Sequence, residues 1–254
     1  MKLDILAIGA HPDDIELGCG GTLLKHIAMG KTVGLLDLTK GELGSRGSVA
    51  IRKKEAEQAR KMMKAKVREN VGLKDGFFDL EKSIMKIIPF IRKYRPDVVL
   101  ANAISDRHPD HGRGAQVASR ACYLSGLKMI KTHWKKEKKA QAHWRPKQVF
   151  HYVQDRYIDP DFVIDISPYM DAKIEVVQAY GSQFFNPKDK RYKKEAQTPI
   201  SSLDFINSLY AKAGVYGRDV GVSYAEGFTM DRVCLLYTSP SPRDQRGSRM
   251  PSSA

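Results

Sequence analysis

The stretch Ala10-His11-Pro12-Asp13-Asp14-Ile15-Glu16-Leu17-Gly18-Cys19-Gly20-Gly21 decides the fold of this chain. It follows the apolar run 3–8, which has the length and branching of a buried parallel strand. One imidazole and three carboxylates come directly after that strand, and small residues follow them. Open α/β sheets bind their ligands in loops at the carboxyl ends of such strands. This loop is therefore predicted to hold a metal, a phosphate or a general base.

Outward from this stretch, strands and helices alternate along the chain. Strands are predicted at 3–8, 32–38, 67–73 and 98–101, and helices at 18–30, about 48–64, about 79–94 and about 113–125. Pro89 is expected to kink or divide the third helix. Further strands at 148–153 and 162–166, helices at 167–183 and 201–216, and a closing loop or strand at 222–228 follow. This order predicts an α/β fold: a doubly wound, mostly parallel, Rossmann-like sheet with helices on both faces.

A second polar cluster, Asp106-Arg107-His108-Pro109-Asp110-His111, follows the fourth strand. In the strand order 3-2-1-4-5, the first and fourth strands are neighbours, and the chain reverses direction between them. The crevice at their carboxyl ends is the topological switch point of such a sheet. We therefore expect the two polar clusters to meet there.

Two imidazoles and one carboxylate with an open fourth position form a catalytic zinc site. The sequence offers His11, Asp14 and His111 as the metal ligands. Asp13, next in the chain to Asp14, is the candidate general base that accepts a proton from the attacking water. Glu16 is expected to support the site from behind.

His108 and Asp110 complete the predicted catalytic group. His108 is the candidate general acid for a leaving amine, or an electrostatic stabiliser of the oxyanion. Asp110 is expected to orient His108 and to set its tautomer, as carboxylates do for functional histidines.

Composition describes a globular protein with an excess of positive charge. Hydrophobic residues make up 42% of the 254 residues, and the formal net charge is +14. No apolar run approaches the roughly 18 residues that cross a bilayer, and the N-terminus has no signal-peptide architecture. We therefore expect a cytoplasmic protein with no membrane partner. Cys19, Cys122 and Cys234 are too few and too scattered for a disulfide framework, and we expect buried thiols.

Most of the excess charge lies in two segments. Residues 128–147 contain eight Lys or Arg and one Glu, and residues 188–195 contain five basic and two acidic residues. Basic segments that include Trp134 and Trp144 could contact nucleic acid, but no nucleic-acid-binding motif accompanies them. We expect solvated loops that steer an anionic small molecule, and no nucleic-acid partner.

Two other classes of protein use parts of this pattern. A non-haem Fe(II) oxygenase has two histidines and one carboxylate as ligands, but it needs no adjacent base such as Asp13. A nucleotide-binding module would use Gly18, Gly20 and Gly21, but their spacing fits neither a dinucleotide fingerprint nor a phosphate-binding loop. Both remain as less favoured alternatives to a metal-dependent amidohydrolase.

The paired motifs Ala10-His11-Pro12-Asp13-Asp14 and Arg107-His108-Pro109-Asp110-His111 resemble the signature of the LmbE-like and PIG-L-like zinc-dependent N-acetylglucosaminyl deacetylases. The likeness extends from Met1 to about Arg232 and includes the late segment 224–228. It implies one deacetylase domain over residues 1–234. Residues 235–254, rich in Ser, Pro and Arg, are expected to be a disordered or non-native tail.

Within that family, the loop 37–47 and Arg52 most resemble the deacetylases of bacillithiol biosynthesis. The resemblance implies removal of acetate from N-acetylglucosaminyl malate, a small anionic sugar substrate, with Zn²⁺ as the cofactor and Fe²⁺ or Co²⁺ as substitutes. It assigns the metal to His11, Asp14 and His111, the catalytic roles to Asp13, His108 and Asp110, and a substrate contact to Arg52. Chitooligosaccharides and lipid- or inositol-linked N-acetylglucosamine are the alternative substrates. The family also implies a homo-oligomer.

Overall fold

The computed structural model describes residues 1–189, 191–192 and 195–231. Within them, seven strands form one sheet in the order β3-β2-β1-β4-β5-β7-β6. The strands are β1 (Ile5–Gly9), β2 (Val33–Asp37), β3 (Val67–Asn70), β4 (Val98–Ala101), β5 (Gln148–Tyr152), β6 (Phe162–Asp165) and β7 (Ala225–Met230). The helices are α1 (Asp14–Ala28), α2 (Val49–Met63), α3 (Leu80–Tyr94), α4 (Pro109–Ser125), α5 (Met170–Gln178) and α6 (Leu203–Val220). The predicted doubly wound, mostly parallel α/β fold is confirmed.

The central strand β1 is covered on both faces. Its residues Leu6 and Ile8 belong to the core formed with α3 and α4, whereas Ile5 and Ala7 belong to the core formed with α1, α2, α5 and α6. A parallel strand buried on both sides needs apolar residues at successive positions, without polar alternation. This explains the continuous apolar run at 5–8.

The switch point lies between β1 and β4. Strand β1 pairs in parallel with both β2 and β4, and Ile5 is in register with Val33 on one side and Val98 on the other. The chain runs from β1 outward to β2 and β3, and then crosses back to β4. The loops after β1 and β4 therefore diverge and leave a crevice at the carboxyl edge of the sheet.

The closing segment predicted at 222–228 is a strand, β7. It starts three residues later than predicted and ends two residues later. It is antiparallel to both of its neighbours, β5 and β6, and lies between them. The parallel order expected from the earlier part of the chain therefore ends at β5. Glu226 of β7 reaches from this position to the first helix.

Helix α1 begins at Asp14, before the predicted start, and is bent at Cys19, where φ is −142° and ψ is 20°. The carboxylate of Glu226 accepts hydrogen bonds from the backbone N–H groups of Gly21 (3.0 Å) and Thr22 (2.7 Å). Glu226 also forms a buried ion pair with Lys173 Nζ at 2.6 Å. The last strand thus caps the second half of the first helix, where backbone N–H groups would otherwise lack acceptors.

Other helix boundaries also differ from the predicted ones. Helix α4 starts at Pro109 because proline is well suited to the first turn of a helix. Helix α3 continues through Pro89, and four isoleucines of its apolar face are buried in the core. Helix α5 ends at Gln178, five residues before the predicted end.

The basic segment 128–147 is attached to the domain through its two tryptophans. The ring of Trp134 packs edge-on against Phe90 at 5.3 Å, and Trp144 Nε1 donates to the carbonyl of Pro96. Both tryptophans thus bind to other parts of the domain. None of the helices in the described part of the chain is both long and apolar enough to cross a membrane. Cys19 and Cys122 are buried thiols, as predicted, while Cys234 and the expected tail 235–254 lie outside the described residues.

Candidate active site

A cavity of about 600 Å³ opens at the switch point. Its floor includes His11, Asp13, Asp14, His108 and His111, so residues of both polar clusters line it. One wall is formed by a face of α6. The two loops that are about a hundred residues apart in the sequence therefore contribute to one site.

Asp14 is the centre of this floor. Its Oδ2 lies 3.5 Å from His11 Nδ1, and its Oδ1 lies 3.1 Å from His111 Nε2. Burial alone would raise the pKa of Asp14, but the charges and hydrogen bonds of His111 and His11 outweigh burial and hold that pKa well below its ordinary value. The three side chains predicted as metal ligands thus contact one another, with the carboxylate between the two rings.

The opposite nitrogen of each ring is held by a second carboxylate. His11 Nε2 lies 2.9 Å from Asp75 Oδ1, and His111 Nδ1 lies 2.6 Å from Asp106 Oδ2. Metal-binding histidines have this arrangement, in which an outer carboxylate fixes the tautomer and the orientation of the ring. Burial lowers the pKa of His111, but Asp14 and Asp106 outweigh it and raise that pKa to about 9.

Two amide side chains hold Asp14 in place. Asn102, just after β4, accepts a hydrogen bond from the backbone N–H of Ala10 at 2.8 Å and donates to Asp14 Oδ2 at 3.0 Å. Gln154, just after β5, donates through Nε2 to Asp14 Oδ1 at 2.7 Å and lies 3.4 Å from His111 Nε2. The ends of three adjacent strands therefore converge on one carboxylate.

Asp13 lies beside Asp14 in a strained backbone conformation, with φ of 115° and ψ of −27°. Such a conformation at a residue other than glycine costs on the order of 1–3 kcal/mol and is found mainly at functional sites. Its Oδ2 accepts a hydrogen bond from Arg52 Nη2 at 2.8 Å. Burial raises the pKa of Asp13 to about 7, even though the charge of Arg52 opposes this shift. A carboxylate with this pKa can exchange a proton near neutral pH.

Most of the N–H donors of the Arg52 guanidinium are bound to other groups of the protein, which leaves few for a substrate. Its Nη2 donates to Asp13 and to the carbonyl of Pro12 at 2.6 Å, and its Nη1 donates to the carbonyl of Gly41. Arg52 lines the cavity, and of its three guanidinium nitrogens Nε is the one without a hydrogen-bond partner in the described part of the chain. The end of the guanidinium therefore orients Asp13.

His108 caps helix α4 and faces the cavity. Its Nδ1 accepts a hydrogen bond from the backbone N–H of Asp110 at 3.2 Å, so in the neutral ring the proton is on Nε2. Burial lowers the pKa of His108, and the nearby charges of His11 and His111 lower it further. His108 is thus a neutral ring that presents an N–H group.

The carboxylate of Asp110 does not have the predicted contact. It accepts from the backbone N–H of Gly76 at 2.9 Å and lies 3.6 Å from His11 Nε2. The backbone N–H of Asp110, not its carboxylate, sets the tautomer of His108. From the first turn of α4, the Asp110 side chain extends toward His11 of the first polar cluster. The carboxylates of Asp110 and Asp75 thus both lie near the same ring nitrogen of His11.

Glu16, expected behind the site, is fully buried and forms an ion pair with Arg68 Nη1 at 2.5 Å. Arg68 also pairs with Asp37 at 2.7 Å. Glu16 thus belongs to an ionic cluster that joins α1 to β2 and β3.

Sequence reasoning missed Asp75, Asn102, Asp106 and Gln154. Asp106 was inside the quoted second cluster, and its polar position beside the histidines was the available signal. Asp75 and Gln154 belong to no recognisable sequence motif. Their places in the site depend on where β3 and β5 end. Among the described residues, two groups bring possible ligand atoms within 4.8 Å of one another: His11 with His108 and His111, and His11 with Asp75 and Asp110. Both groups contain His11, and neither contains the predicted ligand Asp14.

Residues 6–122 match the sequence model of the PIG-L family, described as GlcNAc-PI de-N-acetylase. The chain is 28% identical over 251 residues to the diacetylchitobiose deacetylase of Thermococcus kodakarensis, covering 93% of this chain and 86% of that protein. It is 35% identical over 127 residues to an uncharacterized deacetylase of Escherichia coli, covering 46% of this chain and 67% of that protein. The fold superposes on the crystal structure of a conserved protein from Thermus thermophilus with a TM-score of 0.79 and 34% identity, covering 94% and 99% of the two chains.

Proposed function

Because the chain belongs to the PIG-L (LmbE-like) family of deacetylases, we propose that it removes the acetyl group from an N-acetylglucosaminyl conjugate, with Zn²⁺ as cofactor. The substrate we propose is N-acetylglucosaminyl malate, the intermediate of bacillithiol biosynthesis. The reaction is hydrolysis of an amide: water adds, and acetate and a free amine leave. The observation that carries the proposal is the contact of Asp14 with His11 and His111 at the floor of the cavity, with Asp13 beside them.

His11, Asp14 and His111 are the residues we propose as metal ligands. Two imidazoles and a carboxylate fit a divalent cation, and the carboxylates of Asp75 and Asp106 already hold the outer ring nitrogens. When bound, Zn²⁺ supplies Lewis acidity that polarises the acetyl carbonyl and makes a water molecule more acidic. Fe²⁺ and Co²⁺ suit the same ligands.

Asp13 accepts the proton of the attacking water. Its carboxyl is buried, its pKa is about 7, and Arg52 fixes its orientation. Asp13 pairs with Arg52, whereas Asp14 contacts His11 and His111, so we assign the two neighbouring carboxylates separate tasks. A base with this pKa combines the correct protonation state with sufficient basicity near neutral pH.

We assign His108 the role of a hydrogen-bond donor in the reaction. Its Nε2–H can donate to the developing oxyanion or to the leaving amine, and Asp110 maintains the required tautomer through its backbone N–H. The predicted contact between Arg52 and a malate carboxylate stays a prediction, because most donors of this guanidinium already bind Asp13, Pro12 and Gly41.

An N-acetylated oligosaccharide is the second candidate substrate. The diacetylchitobiose deacetylase of Thermococcus kodakarensis matches almost the whole of this chain. A cavity of about 600 Å³ also has room for more than one sugar ring.

The deciding experiment measures acetate and amine release by the zinc-loaded protein. N-acetylglucosaminyl malate, free N-acetylglucosamine and diacetylchitobiose are compared at equal concentrations. We expect the highest kcat/KM with the malate conjugate and loss of turnover with a chelator. A higher kcat/KM with diacetylchitobiose would replace the malate proposal, and no acetate release from any of the three would contradict the deacetylase reaction on this substrate class.

A further inference from the structure

One lysine in the cavity wall has no carboxylate partner. Lys212 lies on α6, is half-buried, and lines the cavity that contains the candidate metal ligands. Its Nζ donates to the backbone carbonyl of Gln154. Among the described residues, no Asp or Glu oxygen lies within ion-pair distance of this ammonium, and a carbonyl can accept only one of its three protons.

The other cations of the cavity are already neutralised. Arg52 pairs with Asp13 at 2.8 Å, and Arg107 at the mouth pairs with Asp155 at 2.5 Å. A charge withdrawn from water without a partner is energetically unfavourable, so a protein gains little from such a lysine unless a ligand supplies the opposite charge. Lys212 is therefore the cation of this cavity that is available to an anion.

The surroundings of Lys212 strengthen such a contact. Phe205, Leu209, Lys212 and Val215 all line the cavity, and their spacing places them along one side of α6. Apolar neighbours exclude water, and attraction between opposite charges is greater where water is excluded. Burial and the like charge of Lys173 lower the pKa of Lys212 to about 8, so most of the side chain is still charged at neutral pH.

The position of Lys212 fits the part of a substrate that does not react. Gln154 separates it from the candidate metal site, since the backbone carbonyl of Gln154 binds Lys212 while its side chain binds Asp14. Helix α6 lines the same cavity as Asp14, so the remainder of a conjugate with its acetamido group over Asp14 can reach Lys212. We propose that Lys212 is a specificity-determining residue that binds a carboxylate on the aglycone of the N-acetylated sugar. This inference rests on the proposed function and assigns to Lys212 a recognition role that the family resemblance implied for Arg52.

The test compares two substrates that share the sugar and differ in charge: N-acetylglucosaminyl malate and methyl N-acetylglucosaminide. Lys212→Met removes the charge at similar length, and Lys212→Arg keeps it. Lys86→Met, an exposed lysine of α3 on the other face of the sheet, is the matched control. We expect Lys212→Met to raise KM for the malate conjugate roughly ten- to hundredfold more than for the methyl glycoside, as loss of a hydrogen bond to a charged group implies. Lys212→Arg should recover most of this difference, and Lys86→Met should show none.

Equal effects of Lys212→Met on both substrates would overturn the proposal, as would equal effects of Lys212→Met and Lys86→Met. A binding measurement separates this proposal from the proposed reaction. Titration calorimetry with the amine product, glucosaminyl malate, does not require turnover. Tighter binding of this product to the wild type than to Lys212→Met supports the carboxylate contact even if no acetate is released, and equal affinities contradict it.

Discussion

His111 Nδ1 lies 2.6 Å from Asp106 Oδ2, and the side chain of Asp106 is fully enclosed. The same carboxylate accepts hydrogen bonds from the backbone N–H groups of Arg107 (2.8 Å) and Arg156 (2.6 Å). Burial would raise the pKa of Asp106, but the hydrogen bond with His111 and those from the two backbone N–H groups lower it to about 2. Asp106 is therefore a fixed anion that orients the His111 ring toward Asp14.

Asp106→Ala should weaken metal binding without removing a ligand. Loss of an outer carboxylate behind a metal-binding histidine lowers affinity by about ten- to a hundredfold, because the ring loses its orientation and part of its basicity. Competition with a chromophoric chelator measures this affinity. Asp219→Ala, at an exposed position of α6, is the control and should bind metal as the wild type does. Unchanged affinity in Asp106→Ala would show that His111 is not a ligand or that Asp106 does not position it.

The pH dependence of turnover should report Asp13. Its pKa is about 7, and below this value the carboxyl is protonated and cannot accept a proton from water. Activity should therefore be present above the pKa and decrease as the pH falls through it. A divalent cation nearby favours the charged carboxylate, so the acid limb of kcat/KM should lie at or below about pH 7.

Asp13→Asn should remove this acid limb, lower turnover by about a hundred- to ten-thousandfold, and retain the metal. Metal analysis and a pH–rate profile test the two parts separately. Near wild-type turnover in this variant would exclude Asp13 as the base. Loss of the metal would instead indicate that Asp13 is needed to assemble the site.

Two glycines of α1 should respond differently to the same substitution. A Cβ at Gly18 would lie 2.1 Å from the buried ring of Tyr152, whereas a Cβ at Gly20 would meet nothing closer than Lys173 Cγ at 3.5 Å. Gly18→Ala should therefore lower the free energy of unfolding by about 1–3 kcal/mol or more through overpacking. Gly20→Ala should be neutral or slightly stabilising, since alanine reduces the entropy of the unfolded chain. Urea denaturation of the two variants decides this, and equal midpoints would contradict the packing argument.

The ion pair between Glu226 and Lys173 should show strong coupling. Glu226→Ala leaves Lys173 buried without its partner and leaves two N–H groups of α1 without an acceptor, a loss of about 3–5 kcal/mol in unfolding free energy. Glu226→Gln should lose less, because its amide oxygen still accepts from the helix. The double variant Glu226→Gln/Lys173→Met should be more stable than Glu226→Ala. Additive effects in a double-mutant cycle would argue that the two side chains act separately.

The sequence was sufficient to predict the order of the first five strands and the edge at which both polar clusters meet. Apolar runs such as 3–8 have a local cause, and the switch point follows from general rules of parallel sheets. The predicted residues His11, Asp14 and His111 come together for that reason. The carbonyl, amide and carboxylate groups that hold them could not be found in this way, because Asp75, Asn102 and Gln154 are brought in by the lengths and registers of separate strands.

The position of β7 in the sheet could not be predicted from the sequence either. Nothing in residues 222–230 indicates that this strand inserts between β5 and β6, since antiparallel insertion depends on space left by earlier strands. The contact of Glu226 with α1 joins residues about two hundred positions apart, and local patterns carry no information on it. The ion pair between Arg52 and Asp13 could not be predicted either, because it depends on how α2 packs beside the loop after β1.

The insertion of β7 also determines when the protein can finish folding during its synthesis. Within the part of the chain that the structure describes, β6 pairs only with β7, so it can join the sheet only once β7 is present. The second half of α1, made near the beginning of translation, receives its cap from Glu226 only at that time. The loop that carries His11, Asp13 and Asp14 is attached to that helix. A chain that lacks β7 would therefore lack the carboxylate that caps the helix attached to the first polar cluster.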